Sequence, residues 1–84
     1  MQDDAIKSAV KRFILEEFLP GERPEALTDD TRMVTEGVLD SLATLRLVSF
    51  LEKEFKVSIA PHEVDAEYLD TLPSITALVR SKTG

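Results

Sequence analysis

Thr44, Leu47, Val48, Leu51 and Phe55 recur at i, i+3, i+4, i+7 and i+11, the spacing that lines one face of an α-helix. That stripe is predicted to face a core, and Asp40 stands where it can cap the helix, which runs to about Lys56. Turning the wheel by about 100° per residue puts Leu42, Leu45 and Ser49 on roughly the opposite side, with Arg46 and Lys53 beside them. Upstream, Ile6, Val10, Phe13, Ile14 and Phe18 predict a first helix from about residue 4 to 19. Asp3 and Asp4 stand at its start as N-cap and first-turn acid, and Pro20-Gly21 ends it. Downstream, Pro61 can open a short helix with Val64, Tyr68 and Leu69 packing inward. Thr71 then caps a last helix whose apolar face is Leu72, Ile75, Leu78 and Val79, with Pro73 in its first turn. The expectation is an all-α four-helix bundle, three main helices and one short one, forming a single domain over residues 1–84.

Residues 22–40 carry no sustained period and are rich in Thr, Asp, Glu, Gly and Pro. A loop of that length between helices one and two usually means function or disorder. Leu27, Met33, Val34, Val38 and Leu39 within it predict a segment pinned to the core rather than a free linker.

Composition removes several classes of function. A domain of 84 residues has little room for a deep catalytic cavity. Zero Cys excludes disulfides and thiolate nucleophiles, and the lone His62 cannot complete a metal shell. A solvated or capping-region role is the reading for His62, and no metal site or catalytic residue is expected. A net charge of −6 argues against nucleic acid and for partners with basic patches. No apolar run approaches the roughly 20 residues that span a bilayer, and the Met1-Gln2-Asp3-Asp4 start is unlike a signal peptide. The chain therefore reads as cytoplasmic, with no membrane partner, and as a monomer.

The charge is uneven. Residues 16–40 hold eight acids against Arg23 and Arg32, whereas residues 42–58 carry Arg46, Lys53 and Lys56 against Glu52 and Glu54. Glu63, Asp65, Glu67 and Asp70 follow with no Lys or Arg among them and lack the spacing of a calcium loop, so they read as a solvated face.

Ser41 sits at the N-terminus of the second helix, where orphan N–H groups and the positive end of the helix dipole favour a phosphate. Ser and Asp are also the ordinary residues of helix starts, so Asp40-Ser41-Leu42 alone is far better explained by capping than by modification. Around that pair, Gly37-Val38-Leu39-Asp40-Ser41-Leu42 resembles the attachment motif of acyl, aminoacyl and peptidyl carrier proteins. The similarity continues in register through Leu47-Val48, Leu51-Glu52-Lys53-Glu54-Phe55, Val57-Ser58-Ile59, Glu63-Val64 and Tyr68-Leu69-Asp70-Thr71 to Ile75. The chain is thus similar to the acyl carrier protein family along nearly its whole length.

The resemblance implies a carrier without catalytic activity of its own. A phosphopantetheinyl transferase would move a 4'-phosphopantetheine arm from coenzyme A onto Ser41, and the arm's thiol would hold an acyl or aminoacyl group as a thioester. Asp40 would act both as helix cap and as a contact for the transferase and its magnesium. Leu42, Leu45 and Arg46 would form a docking face for partner enzymes, although single exposed leucines are common on any surface. Met33, Val38 and Leu39 either flank the base of the arm or simply pack the loop.

One departure bears on partners. Housekeeping fatty-acid carriers are markedly acidic along the second helix, and this chain places Ala43 and Arg46 at two of the matching positions. Reversing a rim charge mainly changes association rate and partner choice. The motif set looks closer to D-alanyl carriers and to carriers of specialised pathways loaded by adenylate-forming ligases. The alternatives are a carrier for general fatty-acid synthesis and, in another class, an unmodified acidic interaction module that uses Ser41 only as part of a cap.

Overall fold

A computed structural model describes residues 3–83 as four α-helices and no strand. The first, α1 (Asp3–Phe18), buries Ile6, Val10 and Ile14, the row that its sequence spacing marks. Asp3 and Asp4 both lie in its first turn, so Asp3 is a helical residue rather than the cap. Next come α2 (Ser41–Phe55), the single turn α3 (Ala66–Leu69) and α4 (Leu72–Thr83). The all-α bundle of three main helices and one short helix is therefore as expected, with short 3-10 turns at Pro24–Ala26 and Pro61–Glu63 added to the connections. The single-turn α3 begins after Asp65, which caps it by accepting from the Glu67 N–H at 2.8 Å. Pro61 opens the 3-10 turn instead of the helix.

Helix α4 packs against α1 and α3, with Leu72, Ile75, Leu78 and Val79 all buried. Thr76 is buried on the same helix because its hydroxyl donates to the Leu72 carbonyl at 2.8 Å, which satisfies the only polar atom of that side chain. Thr71 accepts from the Ser74 N–H at 3.2 Å, the capping contact its position predicts. In α2 the buried row is Ala43, Leu47, Leu51 and Phe55, while Thr44 and Val48 are half-buried. Leu47, Leu51 and Phe55 of the predicted stripe are thus buried as expected, Ala43 joins them, and Thr44 and Val48 stand at the margin of the core. Stacked rings of Phe13 and Phe50, with centroids 4.1 Å apart, join α1 to α2 along the edge of the core.

The segment between α1 and α2 is pinned as predicted: Leu27 and Met33 are fully buried and Leu39 is 2% exposed. What ties its backbone was not legible. Asp70 Oδ1 accepts from the N–H groups of Val34 and Thr35, each at 2.9 Å, and Oδ2 accepts from the Thr35 hydroxyl at 2.8 Å. Gly37 then turns the chain toward α2 with a φ of +85°, the left-handed region open to glycine at little strain.

The solvated-face reading therefore holds for the exposed Asp65 and Glu67 and is corrected for Glu63 and Asp70. Asp65 is a helix cap, Asp70 holds the loop, and Glu63 accepts from the Ala60 N–H and pairs with Lys82, both at 2.8 Å. Only Glu67 of the four is exposed without such a contact among the described residues.

Two of these carboxyls titrate below their ordinary range. The Lys82 ammonium and the Ala60 N–H lower Glu63. At Asp70 partial burial pushes upward, but the hydrogen bonds from Thr35 and Val34 and the charge of Arg32 together outweigh it and lower the carboxyl. A carboxyl whose folded pKa is depressed stabilises the fold above its unfolded pKa and loses that contribution as pH falls through the folded value. Urea unfolding is therefore expected to give a stability that holds from about pH 7 to 5 and drops below about pH 4. In the Glu63→Gln/Asp70→Asn variant the acid limb should be flatter, and an unchanged limb would remove these two groups as its cause.

Candidate functional site

The start of α2 sets the geometry of the site. Asp40 has extended backbone at φ −79° and ψ −175°, so its carboxylate folds over the first turn and accepts from the Ala43 N–H at 2.8 Å. Its carbonyl accepts from the Thr44 N–H at 2.8 Å. This leaves the N–H groups of Ser41 and Leu42, the other donors of that first turn, to solvent or to a ligand. Ser41 is the first helical residue and is exposed. Its hydroxyl lies at the positive end of a 15-residue helix, where an esterifying phosphate is electrostatically favoured.

Beside Ser41 runs an open groove of ≈ 520 Å³ between the loop, α2 and the turn before α3. Val34, Leu39, Thr44, Leu45 and Val64 give it mainly apolar walls, and Asp40, Ser41 and Asp65 line its polar part. A larger hollow of ≈ 730 Å³ follows α1 and the Pro20–Pro24 turn, but it shares no lining residue with the Ser41 groove. Volume alone does not select between them, and the exposed helix-end hydroxyl does.

Leu42 and Leu45 are 66% and 59% exposed, the two large apolar side chains most open to solvent among the described residues, and they stand beside Ser41 on the outer face of α2. Arg46 is exposed on the same face, 3.9 Å from Glu17 of α1, a surface pair of little energetic weight. Leu45 also lines a second groove with Phe13, Phe50, Arg46 and Lys53. Of the three loop residues, Leu39 lines the Ser41 groove, Met33 belongs to the core and the half-buried Val38 packs against that core. His62 is exposed in its 3-10 turn.

Thr44, Val64 and Asp65 are groove residues that sequence reasoning placed elsewhere, on the core stripe, in the bundle and on a solvated face. The half-burial of Thr44 beside the fully buried Leu47 is the physical distinction, and its polarity on an otherwise apolar row is the signal that could have found it. Glu52 also differs from expectation: its carboxylate accepts from the Ile59 N–H at 2.9 Å and so is committed within the fold. Among the acids of α2, Glu54 alone is exposed, against exposed Arg46 and Lys53. The outer face of α2 is accordingly less acidic than its composition suggests.

A match to the family model described as "Phosphopantetheine attachment site" covers residues 13–80. A D-alanyl carrier protein of Lactococcus lactis subsp. cremoris is 39% identical over 54 residues, 64% of this chain and 68% of that one. A probable acyl carrier protein, PigG, of Serratia sp. is 35% identical over 75 residues, 89% of this chain and 85% of that one. The solved structure of KstB-PCP in its apo form superposes with a TM-score of 0.68 at 27% identity, covering 98% of this chain and 92% of that one. Because the match runs from the end of α1 through α2 and α3 into α4, the implied prosthetic group is a covalently attached 4'-phosphopantetheine, and the helix-end hydroxyl, the free N–H groups of the first turn and the open, mainly apolar groove fit such a group in charge and shape. On the fold, the matched length and these relatives together, the chain belongs to the phosphopantetheine-binding carrier protein family.

Proposed function

We propose that Ser41 is the attachment site of the 4'-phosphopantetheine arm and that the chain serves a dedicated biosynthetic pathway, loaded in trans by an adenylate-forming ligase. The observation that carries this reading is the exposed Ser41 hydroxyl at the capped N-terminus of α2, on the rim of an apolar groove. When attached, the arm supplies a terminal thiol that holds an acyl or aminoacyl group as a thioester. The protein contributes placement: Asp40 rigidifies the helix start and presents a carboxylate to the transferase, and Val34, Leu39, Thr44 and Val64 offer the arm an apolar wall. The chain performs no catalysis itself and works as a monomer in the cytoplasm.

Two observations favour a dedicated partner set over general fatty-acid synthesis. Arg46 and Lys53 are exposed on α2 while Glu52 is tied to the Ile59 N–H. Relatives at 39% and 38% identity are D-alanyl carrier proteins, which suggests cargo of the aminoacyl or small acyl class. The test incubates the phosphopantetheinylated protein with candidate acyl and aminoacyl ligases and, separately, with a malonyl transferase. Thioester formation with a ligase substrate is expected. Efficient malonyl loading and chain elongation, with no ligase substrate accepted, would overturn the pathway assignment.

A further inference from the structure

We infer that Asp70, at the junction of α3 and α4, is a positioning residue for Ser41, acting through the loop that delivers the serine to the start of α2. This rests on the reading of Ser41 as the attachment site.

The connection can be followed bond by bond. The Asp70 carbonyl accepts from the Met33 N–H at 2.6 Å, and the carboxylate accepts from the Val34 and Thr35 N–H groups and from the Thr35 hydroxyl. Met33 is held at its other end too, because its carbonyl accepts from the Leu39 N–H at 2.9 Å. That bond closes the loop over Gly37 and sets down Leu39 directly before Asp40 and Ser41. The Asp70 side chain, some 35 positions away in sequence, thus holds Val34 and Thr35 while its main-chain carbonyl holds Met33, and together they fix the segment whose residues Val34 and Leu39 form a wall of the Ser41 groove. The other hydrogen bonds of residues 32–37 are local: Glu36 N–H to the Arg32 carbonyl, Arg32 N–H to the Glu36 carboxylate and Gly37 N–H to the Val34 carbonyl. Among the described residues, every long-range polar tie of residues 33–35 ends on Asp70.

The consequence for modification follows from population arithmetic. A transferase that recognises one arrangement of the loop meets only the fraction of molecules in that arrangement, and its apparent affinity falls in proportion. Once bound, the hydroxyl is the same, so the turnover step is little altered.

The experiment measures transfer of phosphopantetheine from coenzyme A by a broad-specificity transferase onto wild type, Asp70→Ala, Asp70→Asn and Val79→Ala. Val79 is fully buried in α4 and serves as a stability control at matched loss of Tm. Amide hydrogen exchange of Leu39 is followed in the same proteins. Asp70→Ala is expected to raise KM for the carrier about tenfold with kcat within about twofold, and to accelerate Leu39 exchange about tenfold. Asp70→Asn, which keeps an acceptor for the two N–H groups, should recover most of both. Val79→Ala should leave KM and the relative protection of Leu39 near wild type. The inference is overturned if Asp70→Ala and Val79→Ala shift KM alike, or if Asp70→Ala leaves KM and Leu39 exchange unchanged. Failure of wild type to accept the arm would instead remove the attachment reading, and the exchange of Leu39 would still decide whether Asp70 holds the loop.

Discussion

Ser41→Ala is expected to gain no mass on incubation with coenzyme A and a broad-specificity phosphopantetheinyl transferase, while the wild-type chain gains one phosphopantetheine. The loss is complete because the substitution deletes the oxygen that would form the phosphodiester. It leaves the fold alone: Ser41 is exposed at the first helical position, and an exposed change of this kind usually alters stability by less than about 0.5 kcal/mol. Circular dichroism and Tm should therefore match wild type. Asp40 separates the two roles given to it. Asp40→Ala removes the acceptor of the Ala43 N–H and should cost about 0.5–2 kcal/mol of stability. Asp40→Asn keeps a capping oxygen but not the charge, so it should retain stability and slow transfer. Equal mass gain by wild type and Ser41→Ala would place the arm on another hydroxyl, and no gain by either would favour an unmodified interaction module.

The sequence made visible whatever depended on period and on local chemistry. Three rows of apolar side chains located α1, α2 and α4 to within a residue or two, and Asp40, Pro20-Gly21 and Thr71 marked their ends through interactions with their own neighbours. Leu42 and Leu45 were placed on the outer face by the same geometry. The loop was legible only as a statement of content: its apolar residues had to go inside. How its backbone is held depends on Asp70, and nothing in a stretch of Glu63, Asp65, Glu67 and Asp70 distinguishes a carboxylate facing water from one facing two N–H groups 35 positions upstream. Glu52 hid its role in the same way, its partner being a backbone N–H beyond the end of α2. The site followed this division. Ser41 and its cap could be found from local pattern, whereas the groove beside them, with Thr44, Val64 and Asp65 in its lining, needed the packing of three segments.

The double variant Leu42→Asp/Leu45→Asp is expected to lose at least about 30-fold in kcat/KM for loading by its ligase, the equivalent of about 2 kcal/mol of apolar anchor removed from an interface. The side chains are 66% and 59% exposed, so the free protein gives up little buried area and its Tm should stay close to wild type. Leu45 should dominate in the single variants, because it lines both the Ser41 groove and the groove formed with Phe13, Phe50, Arg46 and Lys53. A partner seated there would meet the arm's base on one side and a basic rim on the other. Arg46→Glu provides the electrostatic counterpart: a rim charge acts chiefly on association rate and its salt dependence, so a loss that fades at high salt marks a partner with acidic groups facing α2. If both leucines are ordinary exposed residues, the aspartate variant will load at the wild-type rate, and the docking face must then be sought away from the outer surface of α2.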